Sequence, residues 1–207
     1  MINKEEFAKV LSELRKNEKR KFSQTIDLII NLKNFDVKRE GINLIVEVPH
    51  KFREIKAVGF LTAQSGVIET ITKEEFGSYK GKFAKRLVEK YDFFIAHASL
   101  MPSVATSFGK YLGPMGKMPS PQLGITVKED DATIQDIVKK AGKSIRIKTK
   151  EPSIKLAIGK EDMKDGDIIE NAFKVYSSVV NALPKQKENL KSVMLKLTMT
   201  KPVKLNL

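Results

Sequence analysis

Two histidines, His50 and His97, and no cysteine bound the chemistry open to this 207-residue chain. Without a thiol there is no disulfide, no thiolate metal ligand and no cysteine nucleophile. Neither histidine belongs to an H-x-x-x-H or H-E-x-x-H pair, so each reads as a hydrogen-bonding residue, one at a chain crossing and one at a strand end. Asp162, Asp165 and Asp167 surround Gly166 but miss the spacing of a calcium loop, and Asp165 suits the cap of a helix. Glu129-Asp130-Asp131 likewise suits the positive end of the helix that follows. Phosphate loops are missing too. Leu61-Thr62-Ala63-Gln64-Ser65-Gly66 lacks the G-x-G-x-x-G fingerprint, and Gly113-Pro114-Met115-Gly116-Lys117 lacks the upstream glycine and following Ser or Thr of a Walker loop. No catalytic residue, metal or cofactor is expected. An α/β enzyme acting on a nucleotide or RNA stands as the competing reading.

What these residues can do is hold a polyanion. Thirty-eight Lys and Arg against 25 Asp and Glu leave a formal charge of +13. Within this basic background Thr25 and Asp27 project from one face of a predicted strand. A threonine hydroxyl donates and accepts, and a carboxylate accepts from a ribose 2′-OH, which distinguishes RNA from DNA. Lys19, Arg20 and Lys21, with Arg146, Lys148 and Lys150 on an outward strand face, supply phosphate contacts. If about six phosphates are neutralised, affinity falls roughly 10³-fold between about 50 and 200 mM salt. Phe22 shares the parity of Ile26, which favours the core over a stacking role unless the strand proper begins after it. Gly113 to Pro119 reads as a Gly- and Pro-rich loop centred on Lys117: either a structural turn or a secondary RNA contact through Gly113, Gly116 and Lys117.

The elements that position these residues follow from periodicity. Asn3 and Glu6 form a capping-box pattern, and Phe7, Val10, Leu11 and Leu14 fall at helical spacing up to Asn17. Ile26, Leu28, Ile30 and Leu32 alternate on one strand face; Ile42, Leu44, Val46 and Val48 do so on a second strand, which stops at Pro49. From Glu54 the rhythm changes. Ala57 to Leu61 suits a parallel strand covered on both sides, and a weaker strand near Val67 to Ile71 follows. Then come a Thr72 to Glu75 capping box, a Lys82 to Tyr91 helix, the run Phe93 to Ala96, a helix around Leu100 to Leu112 and another near Ala132 to Ala141. Alternation returns at Ile145 and Ile147, then Ile154, Leu156 and Ile158. A helix carries Ile169 to Val180 as far as Pro184, and a last strand holds Val193, Leu195, Leu197 and Met199. The predicted class is α/β with two domains. A discontinuous α+β domain spans 1–53 and 142–207, and a Rossmann-like insert spans 54–141. The terminal segments hold +11 of the charge and the insert +2, which assigns most anion binding to the terminal domain. No apolar run approaches the roughly 18 residues of a membrane span, and the expected setting is intracellular.

Three stretches carry a family signature: Lys21 to Leu28, Leu112 to Pro119 and Lys196 to Met199. With Val46 to His50 and Tyr91 to Ala96, they resemble the large-subunit ribosomal protein L-one family, in its archaeal form, in order along nearly the whole chain. The resemblance implies a two-domain protein whose split first domain binds large-subunit rRNA at the mobile stalk beside the tRNA exit site, helping tRNA release, in the cytoplasm with other ribosomal components. It implies repression through the protein's own messenger RNA as a further role. It places Phe22 at the RNA surface, with Lys21, Thr25, Asp27, Thr198 and Met199. After Met199 the family pattern has Gly then Pro, where Thr200 and Lys201 stand here. The expectation is a contact loosened at Thr200 and compensated by the charge of Lys201. The two crossings, near His50 to Ile55 and near Gly142, are expected to act as a hinge.

Overall fold

The computed structural model describes residues 3–18, 20–37, 39–149 and 151–206, so Lys19 and Lys150 lie outside the described residues. The first segment forms α1 (Lys4–Leu14), β1 (Thr25–Leu32) and β2 (Asn43–Glu47). There follow β3 (Ala57–Phe60), β4 (Glu69–Ile71), α2 (Lys82–Lys90), β5 (Phe93–His97), α3 (Met101–Met115), β6 (Ile125–Thr126) and α4 (Asp131–Gly142). The chain ends with β7 (Ser144–Lys148), β8 (Ser153–Lys160), α5 (Asp165–Ala182), β9 (Leu190–Leu197) and β10 (Val203–Leu205). Two compact units result, Met1–Arg53 with Lys143–Leu207, and Glu54–Gly142.

In the unit that holds both chain ends, four strands lie in the order β10-β9-β1-β8, every pair antiparallel, and β2 pairs with β7 as a separate ribbon. Strict alternation on β1 buries Ile26, Leu28, Ile30 and Leu32 and leaves Thr25, Asp27, Ile29 and Asn31 half-exposed. The buried set joins Val193, Leu195 and Leu197 of β9 and one face each of α1 and α5 in a single core, where Phe7 meets Tyr176 edge-on at 6.0 Å. Both helices therefore cover the same side of the sheet. Gly159 lets α5 approach: a Cβ there would lie 3.1 Å from Ile168 Cγ1.

In the other unit the strand order β4-β3-β5-β6 is wholly parallel. Phe94 and Ala96 enter one apolar cluster with α2 and α3, while the intervening Ile95 joins Ile134 of α4 in another. Helices thus cover both faces of the sheet, as its near-continuous apolar strands require.

Four local expectations change. Asn3 makes no side-chain cap; Glu6 pairs with Lys9 at 3.3 Å instead, so the capping box is not formed. Asp165 is the first helical residue of α5 and meets Arg15 at 2.5 Å, with Lys164 in the cap position. Helix α3 runs past Leu112 through Pro114 to Met115 and closes on left-handed Gly116, so Gly113 is helical and not part of a loop. Strand β9 stops at Leu197, leaving Met199 in a turn that leads into the unforeseen β10. Glu75 does accept from the Thr72 amide at 2.8 Å, as the Thr72 to Glu75 pattern predicts.

Asn171, fully buried on α5, ties three segments together. Its side chain accepts from the His50 amide at 3.0 Å and donates to the His50 carbonyl at 2.9 Å and the Ile158 carbonyl at 3.1 Å. Asn171→Leu strands those backbone groups and is expected to cost roughly 2–4 kcal/mol, read as a lowered urea midpoint. An unchanged midpoint would contradict this.

Candidate nucleic-acid interface

The side of the four-stranded sheet turned away from α1 and α5 is built by strand register. Asp27 lies opposite Lys196 of β9 on one edge and Ala157 of β8 on the other; Ile29 lies between Met194 and Lys155. A bulge on β8 between the partners of Ile26 and Asp27 sits beside the carboxylate, where such irregularities commonly re-aim a side chain. Partial burial pushes the Asp27 carboxyl above its ordinary range, and the nearby Lys196 ammonium only partly opposes this. Further along, Asn31 donates to Ser192 Oγ at 2.9 Å and accepts from Ser153 Oγ at 2.8 Å, a polar chain across three strands.

At the start of β1 the strand clamps the turn after β9. The Thr25 amide donates to Thr198 Oγ1 at 3.0 Å, and the Thr198 amide returns a bond to the Thr25 carbonyl at 3.1 Å. The Met199 amide donates to Gln24 Oε1 at 3.1 Å, and buried Gln24 is itself held by Glu161. Thr200 Oγ1 accepts from the Leu197 amide at 3.0 Å and faces the Leu197 carbonyl at 3.4 Å. Thr200 is not among the described residues with positive φ, so its side chain closes this turn without backbone strain. Phe22 is 52% and Met199 61% exposed, one just before β1 and one in the clamped turn, and their chain neighbours Lys21 and Lys201 are exposed too. The core reading of Phe22 by parity does not hold: the strand begins at Thr25, and the alternation of burial stops at Gln24, two residues short of Phe22. A groove of 540 Å³ adjoins the turn, lined among others by Lys16, Arg20, Thr200 and Lys201.

Arg146 and Lys148 are exposed, as their parity predicts, but they belong to the β2–β7 ribbon and not to the four-stranded sheet. Their charge stands on a second surface. In the parallel-sheet unit, Lys117 donates to the Val88 and Tyr91 carbonyls at 2.8 Å each, which occupies two of its three N–H groups in holding α2 to the end of α3. Lys196, Ser192, Asn31 and Ser153 are site residues that local sequence reasoning missed. Alternation gave a readable signal for two of them: Asn31 shares the outward parity of Thr25 and Asp27, and Lys196 alternates with buried Leu195 and Leu197.

The parallel sheet places an acid of its own at the loop after β3. After β3, where a dinucleotide fold cradles phosphate, the Thr62 amide donates to Glu129 Oε1 at 2.8 Å, the Ala63 amide donates to Glu129 Oε2 at 3.3 Å, and the Thr62 hydroxyl also bonds this carboxylate. Burial pushes the Glu129 carboxyl up, but these bonds outweigh it and leave it below its ordinary range. An internal carboxylate thus occupies the anion position. His97 bonds Ser99 Oγ at 2.7 Å and the Val127 carbonyl at 3.0 Å, and His50 bonds Glu170 at 3.0 Å, each within its own unit.

The model of the ribosomal protein L1p/L10e family matches residues 14–201, which takes in β1, the clamped turn and all of the parallel-sheet unit. The chain belongs to this family. The large ribosomal subunit protein uL1 of Pyrobaculum neutrophilum is 34% identical over 217 residues, covering 99% of this chain and 95% of the relative. Those of Thermococcus kodakarensis, 35% identical over 89% of each chain, and of Cenarchaeum symbiosum, 29% identical over 99% of this one, are also similar. The α/β class expected from periodicity agrees with membership.

Because the folded Asp27 binds its proton more tightly than the unfolded chain does, its burial penalty is absent in acid and sets in as pH rises through the folded-state value. Asp27→Asn is expected to raise the thermal midpoint at pH 7 and to match wild type below about pH 3. A variant less stable than wild type at neutral pH would overturn that sign.

Proposed function

We propose that this family member is a structural, non-catalytic RNA-binding component of the large ribosomal subunit. One observation carries the reading. A partly desolvated carboxylate, Asp27, is kept on the uncovered face of a basic sheet, between Lys196 and the Thr25–Thr198 clamp. Desolvating an acid costs stability, and an acid repels phosphate, so its use is as an acceptor for a 2′-OH or a base edge. Phe22 and Met199 offer flat and soft apolar surface to an exposed base. Lys21, Lys196 and Lys201 supply the phosphate contacts, with Arg146 and Lys148 on the ribbon as an outlying pair. The names of the relatives, all large ribosomal subunit proteins, support the same assignment.

The finer reading follows the family. The RNA is the mobile stalk of large-subunit rRNA near the tRNA exit site, the protein helps release exit-site tRNA, and it represses its own messenger RNA by binding a similar structure. Ribosome association implies the cytoplasm. Among the described residues no helix is long and apolar enough to cross a membrane. Thr200 rebuilds the turn that a glycine would make in the family pattern, and Lys201 adds charge beside it. A secondary RNA contact through Gly113, Gly116 and Lys117 is the weaker part of the reading, since Lys117 spends two ammonium N–H groups inside the unit and the Gly116 and Lys117 amides bond the helix end.

The test is titration of a stalk-type rRNA hairpin against its all-deoxy counterpart, with wild type and Asp27→Asn. Wild type should prefer RNA, and the variant should lose about 10- to 100-fold in RNA affinity with little change on DNA, as expected for a charge-assisted hydrogen bond. Equal wild-type affinity for the two hairpins would sink the assignment.

A further inference from the structure

The formal charge of the Glu54–Gly142 unit is nearly balanced, yet its charges are not evenly spread. Its acids are largely engaged inside the unit: Glu75 with Thr72, Glu129 with the Thr62–Ala63 loop, Asp131 with Ser65 Oγ at 2.6 Å, and Glu69 with Tyr91 and Lys90. Its cations gather on one helix. Lys80, Lys82, Lys85, Arg86 and Lys90 are all exposed on or just before α2, and in their midst stands Phe83 at 62% exposure. Lys85 reaches Glu89 only at 4.0 Å and Lys90 meets Glu69 at 3.2 Å, while Lys80, Lys82 and Arg86 have no ion pair among the described residues.

Helix stability does not explain this arrangement. The first turn of α2 has no acidic residue, so Lys82 and Lys85 stand at the end of the helix where the backbone dipole disfavours cations. Nor does packing explain Phe83, because the buried side of α2 is already supplied by Ala84, Leu87 and Val88. We propose that the exposed face of α2 is an RNA-docking surface separate from the four-stranded sheet, with Lys82, Lys85 and Arg86 on phosphates and Phe83 stacked on an unpaired base.

Three features favour RNA over other polyanions. Lys82, Arg86 and Lys90 follow one another at successive turns, about 6 Å apart along the axis, so the row matches a continuous anion better than a single carboxylate. An exposed aromatic ring among cations suits base stacking, which is sequence-tolerant. A bilayer surface would need an apolar stripe, and the apolar side of α2 is spent in its own unit.

The experiment uses the full chain and an unstructured, mixed-sequence 20-nucleotide RNA, followed by fluorescence anisotropy across a salt series. This probe lacks the stalk fold, so its outcome is independent of the Asp27 test. Lys82→Ala/Lys85→Ala/Arg86→Ala should lower the slope of log affinity against log salt by about 2. Phe83→Ala should weaken binding about 10-fold and leave the slope unchanged. Lys139→Ala/Lys140→Ala, which removes two charges from α4 of the same unit, should leave both nearly intact. The proposal is overturned if the triple variant keeps the wild-type slope, or if the α4 variant loses as much. It is equally overturned if vesicles of phosphatidylserine and phosphatidylcholine bind wild type and lose binding with both α2 variants, which would assign the surface to lipid. Wild-type urea midpoints for all variants confirm that folding is intact.

Discussion

Strand β1 is hydrogen-bonded along both edges, to β8 and to β9, and both partners come from the far end of the chain. Ile30, for example, pairs with Ile154 and Val193 at once. The sheet cannot close until the chain has returned from the Glu54–Gly142 unit, so its uncovered face depends on a long-range pairing with a large loop-closure cost. That cost is met by a core into which α1 and α5 both pack. Because both helices take the same side, the other side of the sheet is left for a partner.

The uncovered side is chemically uneven. Its middle is weakly apolar, with Ile29, Ala157 and Met194 half-exposed, and its margins carry Lys155, Lys160, Lys196 and Lys204. Asp27 is the exception in sign, and burial makes its charge costly. Such a carboxylate is a liability to the isolated fold, and the proposed RNA contact supplies a reason to keep it. The turn after β9 is treated differently. Gln24, Thr25, Thr198 and Thr200 bond one another or nearby backbone, so Met199 is presented on a fixed support.

The pattern of Ile26, Leu28, Ile30 and Leu32 was enough to assign the two faces of β1, because alternation is a local property and one face is buried. Alternation also turned Arg146 and Lys148 outward correctly. Which sheet they would join was not readable, since Ile45 sits opposite Arg146 through a pairing about a hundred residues apart. For Phe22 parity alone pointed to the core and the family resemblance to the surface; it is exposed because the strand begins after it, at Thr25. At Gly113 to Lys117 the glycines and proline read as a loop, whereas buried Leu112 draws α3 onto the core, Gly116 closes it, and two backbone carbonyls capture Lys117. The partners of Asp27 and Asn31 were invisible for the same reason: each lies on another strand.

The central claim is that RNA lies on the sheet side opposite α1 and α5. Methyl NMR of the full chain, with and without a stalk-type rRNA hairpin, addresses it directly. The account predicts shifts at Ile29, Ala157, Met194 and Met199, with Ile26, Leu28 and Leu195 nearly unmoved. Unmoved Ile29 and Met194 methyls in a saturated complex would contradict it.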